Sequence, residues 1–144
     1  HGSDIAAING WKTVTDPYGT GAETYVIPAI TPDVAVIHAH EIDTEGNARV
    51  YGSSYWDEIL TRAAKRVLVT AEKLVDTNEL RKRPELTLVP GFLVEAAAVV
   101  PHGGWPGSMH ECYGVDYPAV EAYLKDDPAS LAAHLAASPE AQTS

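Results

Sequence analysis

The chain has 144 residues, 45% of them hydrophobic, and carries a formal charge of −10 with a single cysteine, Cys112. That length and composition predict one ordinary globular domain with a packed core and no bias toward disorder. The negative charge argues against nucleic-acid binding and against docking to anionic membranes. No apolar run approaches a bilayer span, an internal disulfide is impossible, and a lone thiol fits the cytoplasm.

Residues 1–23 are rich in Gly, Asp, Pro and Asn and read as a loosely ordered lead-in. The chain opens His1-Gly2-Ser3 without Met, which we read as a start inside a longer protein or a tag remnant. Asp16-Pro17-Tyr18-Gly19 is a turn signal. Tyr25 to Ile30 is β-rich, but Pro28 removes a ladder donor, so an edge strand is expected.

Val34 to His40 is the clearest strand, an apolar β-branched run suited to a parallel sheet covered on both faces. After a turn at Thr44-Glu45-Gly46-Asn47, Ala48 to Tyr51 resumes as a strand. Tyr55 to Ala64 has helical spacing at Trp56, Ile59, Leu60 and Ala63, with Ser53 or Ser54 as the expected N-cap. Arg66 to Ala71 is the second strong strand, and strand–helix–strand implies a right-handed parallel crossover.

A short helix follows over Asp76–Arg83, ended by Pro84, then a strand over Leu86–Val89. Phe92 to Val100 reads as a third long strand. Pro101 to Ser108 is a turn-rich loop with three glycines and Trp105. Helices are expected over Tyr117–Lys125, capped by Asp116, and over Pro128–Ala137, with residues 138–144 frayed. The order predicts an α/β fold, an open and mostly parallel sheet with flanking helices.

Four constellations invite chemistry. His38 and His40 point to one face of a strand end, where a transition metal could sit, although a third and fourth ligand would have to come from elsewhere. The alternative is that one satisfies backbone groups and the other lines an intersubunit contact. Asp43 to Asn47 resembles part of a calcium loop but lacks the later bidentate Glu, so a turn held by the Asp43 side chain is the better reading. In the loop, Gly103 and Gly104 allow close approach of backbone to a ligand, His102 flanks them, and Trp105 could stack on a flat group. Arg81-Lys82-Arg83 could meet a phosphate or form a solvated helix face. No metal site is assigned on these residues. No dinucleotide fingerprint or Gly-x-Ser-x-Gly elbow is present.

One family shares the order of these features. Pro28-Ala29-Ile30-Thr31-Pro32-Asp33-Val34-Ala35-Val36-Ile37-His38-Ala39 leads into Asp43-x-x-Gly46-Asn47-Ala48 and Tyr51-Gly52. Lys65-Arg66-Val67-Leu68-Val69-Thr70-Ala71-Glu72 and Pro90-Gly91-Phe92-Leu93-Val94-Glu95-Ala96 follow. Val100-Pro101-His102-Gly103-Gly104-Trp105-Pro106, Cys112-Tyr113 and Asp116-Tyr117 close the series. Over residues 12–125 this resembles the α subunit of glutaconate-type family I coenzyme A-transferases, with a NagB/RpiA-like sheet.

The resemblance implies that residues 1–144 are the C-terminal part of an α-subunit domain, with the N-terminal half missing. It implies a β subunit in a hetero-oligomer and an active site between the two. There a glutamate of the β partner attacks an acyl-CoA and forms a glutamyl-CoA thioester. The coenzyme A thioester is substrate, and no covalently bound cofactor is expected. Glu41 and Glu95 are the nearest candidates here for supporting acid–base roles. His38, His40, Asp43, Asn47, His102, Gly103, Gly104 and Trp105 are expected to line the ligand or the interface. A branch of the same fold hydrolyses a carbon–carbon bond in a cyclic diketone CoA ester, and a non-catalytic half-domain is a further alternative.

Overall fold

A computed structural model describes residues 3–125, which fall into two compact units that divide between Thr31 and Pro32. The expected helix over Pro128–Ala137 and the tail lie outside the described residues.

The first unit holds helix α1 (Ile5–Ile8) and a hairpin of β1 (Lys12–Thr15) with β2 (Glu23–Val26). The strands pair antiparallel, with Thr13 opposite Tyr25 and Thr15 opposite Glu23. Asp16 builds the connection, its carbonyl accepting Gly19 N–H at 3.3 Å and its carboxylate accepting Tyr18 N–H at 2.9 Å and the Thr20 hydroxyl. The lead-in therefore has more local structure than its composition suggested. Strand β2 stops at Val26, short of Pro28.

The second unit is a five-stranded mixed sheet in the order β6-β4-β3-β5-β7. Its strands are β3 (Val34–Ile42), β4 (Ala48–Arg49), β5 (Arg66–Leu74), β6 (Thr87–Val89) and β7 (Ala96–Val99). Strands β3, β5 and β7 are parallel, with Val36 beside Leu68 and Leu68 beside Ala96. The crossover from β3 to β5 carries α2 (Asp57–Ala63), as the strand–helix–strand pattern requires. Strand β4 turns back antiparallel on the end of β3.

Alternation along β3 and β5 sorts the side chains. Ala35, Ala39, Val67, Val69 and Ala71 fill a buried core with Ala48 and Val89, over which Leu60 and Ala64 of the crossover pack. On the opposite face Val36 is 65% exposed and Val34 39%, beside the exposed Ala96 of β7. A parallel sheet is ordinarily covered on both faces. Here one face is apolar and open toward the amino ends of its strands.

Two expectations are corrected. Helix α2 starts at Asp57 with no side-chain cap from Ser53 or Ser54, because Tyr55 turns into the left-handed region (φ 44) and Trp56 takes the cap position. Trp56 and Ile59, placed on the helix by spacing, are 73% and 60% exposed. The run from Phe92 to Val100 is not one strand. Gly91–Leu93 is a 3₁₀ turn and β7 begins at Ala96. The cause is a contact distant in the chain: Gly91 N–H donates to Asn47 Oδ1 at 2.9 Å, and a Cβ on Gly91 would stand 2.1 Å from the Glu45 carbonyl oxygen.

Short helices complete the unit. Asp76 caps α3 (Thr77–Arg81), accepting Asn78 N–H at 2.8 Å. Asp116 caps α4 (Tyr117–Lys125), accepting Ala119 N–H at 3.1 Å.

Candidate functional site at the carboxyl ends of the parallel strands

In open α/β sheets ligands gather beyond the carboxyl ends of the strands. That end of β3 and β5 carries a part-buried polar network. His38 on β3 lies beside Thr70 on β5 in the ladder, and Glu72 follows two residues on, on the same face. The His38 ring meets Thr70 Oγ1 at 2.8 Å through Nδ1 and Glu72 Oε1 at 2.7 Å through Nε2.

Glu72 is the centre of the network. Its side chain is 11% exposed and accepts three hydrogen bonds, from His38 Nε2, from the Tyr113 hydroxyl at 2.6 Å and from His102 N–H at 2.8 Å. Burial works to raise its pKa, but the bonds from Tyr113, His38 and His102 outweigh burial and hold the carboxyl below the ordinary 4.5. The Tyr113 hydroxyl is pushed up, first by burial and then by its bond to Glu72, so it remains a neutral donor. It also accepts Gly104 N–H at 2.9 Å.

The loop after β7 is thereby welded to the strand ends. His102 sits in the left-handed region at φ 57, a conformation that costs an L-residue about 1 kcal/mol. Gly103 packs so closely on His38 that a Cβ there would lie 2.7 Å from Cε1 of the imidazole. Gly103 N–H donates to the Val100 carbonyl at 3.1 Å and Trp105 N–H to the His102 carbonyl at 2.9 Å. The glycine-rich stretch thus commits its backbone donors to its own framework. The Trp105 indole N–H donates to Asp116 Oδ2 at 3.0 Å and ties the loop to the start of α4.

His40 shares the face of His38 but serves a second contact. Its Nδ1 accepts Tyr51 N–H at 3.0 Å, so the proton resides on Nε2, which donates to the His110 carbonyl at 2.9 Å. Burial, aided by the nearby His110 and His38 rings, lowers its pKa below 6.5, although the His110 carbonyl bond opposes this. With both nitrogens of each ring committed, His38 and His40 act as organisers. Among the described residues no set of three His, Cys, Asp or Glu side chains could hold a metal ion.

The other residues singled out in the sequence lie apart from this network. Glu41 faces the opposite side of β3, where it accepts the Tyr51 hydroxyl at 2.7 Å and pairs with Lys73 at 2.9 Å and Arg49 at 3.4 Å. Burial alone would raise its pKa; these partners lower it. Arg49 in turn donates from Nη2 to the carbonyls of Glu79, Leu80 and Arg83 at 3.0, 2.6 and 3.0 Å, closing the end of α3. Glu95 lies at the amino end of β5, on the surface, in a two-point pair with Arg66 at 2.7 Å.

Asp43 and Asn47 form the β3–β4 turn. Asp43 accepts Glu45 N–H at 2.9 Å, Asn47 N–H at 2.8 Å and the Asn47 amide at 3.0 Å, while Gly46 takes φ 83. This is the turn expected from the sequence in place of a calcium loop. Arg81, Lys82 and Arg83 each face a carboxylate, of Glu45, Glu79 and Glu85, on the surface. Glu72 could not be picked out along the chain because the three donors that meet it lie 30 to 41 positions away.

The coenzyme A transferase family model matches residues 9–99. Over 80% of its length the chain is 30% identical to one of the subunits of glutaconate CoA-transferase from Acidaminococcus fermentans, and the solved structure of that enzyme superposes with a TM-score of 0.76. It is 36% identical over 73% of its length to a cholesterol ring-cleaving hydrolase IpdA subunit of Mycobacterium tuberculosis. It also matches the structure of an AibA/AibB decarboxylase variant at 34% identity and a TM-score of 0.74, over 85% of its length. The chain spans 36% and 38% of the length of the two curated relatives. The match over most of the sheet, in sequence and in fold, means that this chain belongs to the coenzyme A transferase family.

Proposed function

We propose that this chain is part of the α subunit of a two-subunit enzyme acting on acyl-CoA thioesters. In this reading it transfers coenzyme A between carboxylic acids through a glutamyl-CoA thioester, and the reacting glutamate belongs to the β subunit. The observation that carries the reading is the state of the carboxylate at the strand ends. Glu72 already accepts three hydrogen bonds and is shielded from solvent, so it organises the site and is a poor nucleophile. This supports an attacking group supplied by another part of the assembly.

The open sheet face supports the same view. Val34 and Val36 await a covering layer, which we assign to the N-terminal half of the subunit. The exposed Tyr55, Trp56 and Ile59 around α2 supply a second apolar area of the kind that subunits bury. The lone cysteine agrees with a cytoplasmic setting. Among the described residues no helix is long and apolar enough to cross a membrane.

A second reading, hydrolysis of a carbon–carbon bond in a cyclic CoA ester, is favoured by the 36% identity to the IpdA subunit. One experiment separates the two. The complex purified with its partner is incubated with an acyl-CoA and an acceptor acid, and then with a cyclic diketone CoA ester in ¹⁸O-water. A transferase produces a second CoA ester with no loss of total thioester. A hydrolase opens the ring and incorporates one ¹⁸O. The absence of both products would refute the proposal.

A further inference from the structure

The network at the strand ends leaves the His102 imidazole uncommitted. His38 and His40 use both ring nitrogens on protein groups, and the exposed His110 ring faces Glu111 at 3.8 Å, outside the Glu72 network. His102 differs. It is exposed, and among the described residues its ring nitrogens have no hydrogen-bond partner.

Yet His102 is held from two sides. Its N–H is fixed on Glu72 at 2.8 Å, which stabilises the left-handed backbone at φ 57. Its ring stacks on Tyr113, with centroids 5.0 Å apart and planes at 29°, and the Tyr113 hydroxyl donates to the same carboxylate at 2.6 Å. One part-buried carboxylate thus sets both the backbone and, through Tyr113, the ring of an otherwise free imidazole. Strained backbone kept in place by such a surround is characteristic of positions that meet a ligand.

We infer that the His102 imidazole hydrogen-bonds the acyl-group oxygen of the bound thioester, its carbonyl or a free carboxylate, and that Glu72 and Tyr113 are its positioning residues. The inference rests on the acyl-CoA reading above. An imidazole N–H is a suitable donor to either oxygen. It stands at the strand ends where open α/β sheets hold ligands.

Diethyl pyrocarbonate footprinting of the intact two-subunit enzyme tests this without relying on turnover. His102 should be carbethoxylated in the free enzyme and slowed about 10-fold or more by saturating acetyl-CoA or glutaryl-CoA, because the acyl group that takes the ring N–H also shields the ring, whose unprotonated nitrogen is the one that reacts. Binding of the same compounds is measured by calorimetry. If an acyl-CoA binds and His102 reacts at an unchanged rate, the inference is overturned while the acyl-CoA reading stands. If none binds, and free coenzyme A does not either, that reading fails and the inference fails with it.

Kinetics supply the second readout. His102→Ala should lower kcat/KM about 100-fold at an unchanged melting temperature. Glu72→Gln should lower kcat in the parent enzyme but add little to His102→Ala, because it acts through His102. Fully additive losses would assign Glu72 to folding alone.

Discussion

Replacing Glu72 by Gln removes a charge from a site with three converging donors and leaves a single acceptor oxygen there. The donors are His38 Nε2, the Tyr113 hydroxyl and His102 N–H, at 2.7, 2.6 and 2.8 Å. A hydrogen bond to an ionised acceptor contributes about 1.5–3 kcal/mol, and a buried donor left unmatched costs about 1–3 kcal/mol. The Gln oxygen can keep one partner and the Tyr113 hydroxyl can rotate, so about 3 kcal/mol is expected, near the upper end for a point substitution. Urea unfolding followed by tryptophan fluorescence should show a lower midpoint at an unchanged slope. The acid side provides a second check. The native carboxyl titrates below 4.5, so its contribution is present above that pH and is lost as pH falls through the native value. The gap between wild type and Glu72→Gln should therefore close in acid. A loss under about 0.5 kcal/mol, the level of an ordinary surface substitution, would refute the reasoning.

Gly103→Ala should unseat the loop, because the new methyl meets His38 Cε1 at 2.7 Å and the Val100 carbonyl at 3.0 Å; a loss of about 2 kcal/mol and altered Trp105 fluorescence are expected. Arg49→Lys should destabilise by about 2 kcal/mol in thermal unfolding, since a point-like ammonium cannot reproduce a guanidinium that reaches three helix-end carbonyls and Glu41. His40 should titrate by NMR below 6.5, with the proton of its neutral form on Nε2. Because its native pKa is depressed, its share of stability is complete above the unfolded value near 6.5 and declines as pH falls below it. A midpoint above 6.5 would reverse that sign.

How much of this was legible in the sequence depended on the range of the forces. Strands β3 and β5 were plain because their apolar, β-branched runs are local signals. The parallel pairing followed from the helix between them. The turn at Asp43–Asn47 was legible because Asp43 bonds to residues within four positions. Strand β7 was misjudged for the opposite reason. The run from Phe92 to Val100 is apolar throughout, and its first part is turned aside by Gly91 pressing on a segment more than forty positions earlier. The loop stands out in the sequence for its glycines and Trp105, but the carboxylate that organises it does not. The signal was available in a weak form: Thr70 and Glu72 alternate with Val69 and Ala71, placing two polar groups on one face of a strand end. What the sequence alone could not supply was that His38, His102 and Tyr113 meet there.

The most direct test localises the covalent intermediate. The purified two-subunit enzyme is mixed with an acyl-CoA, quenched and digested, and peptides carrying an added coenzyme A mass are sequenced. The adduct is expected on a glutamate of the partner chain and none on Glu41, Glu72 or Glu95. An adduct on any glutamate of this chain, or turnover by this chain alone, would overturn the proposed function.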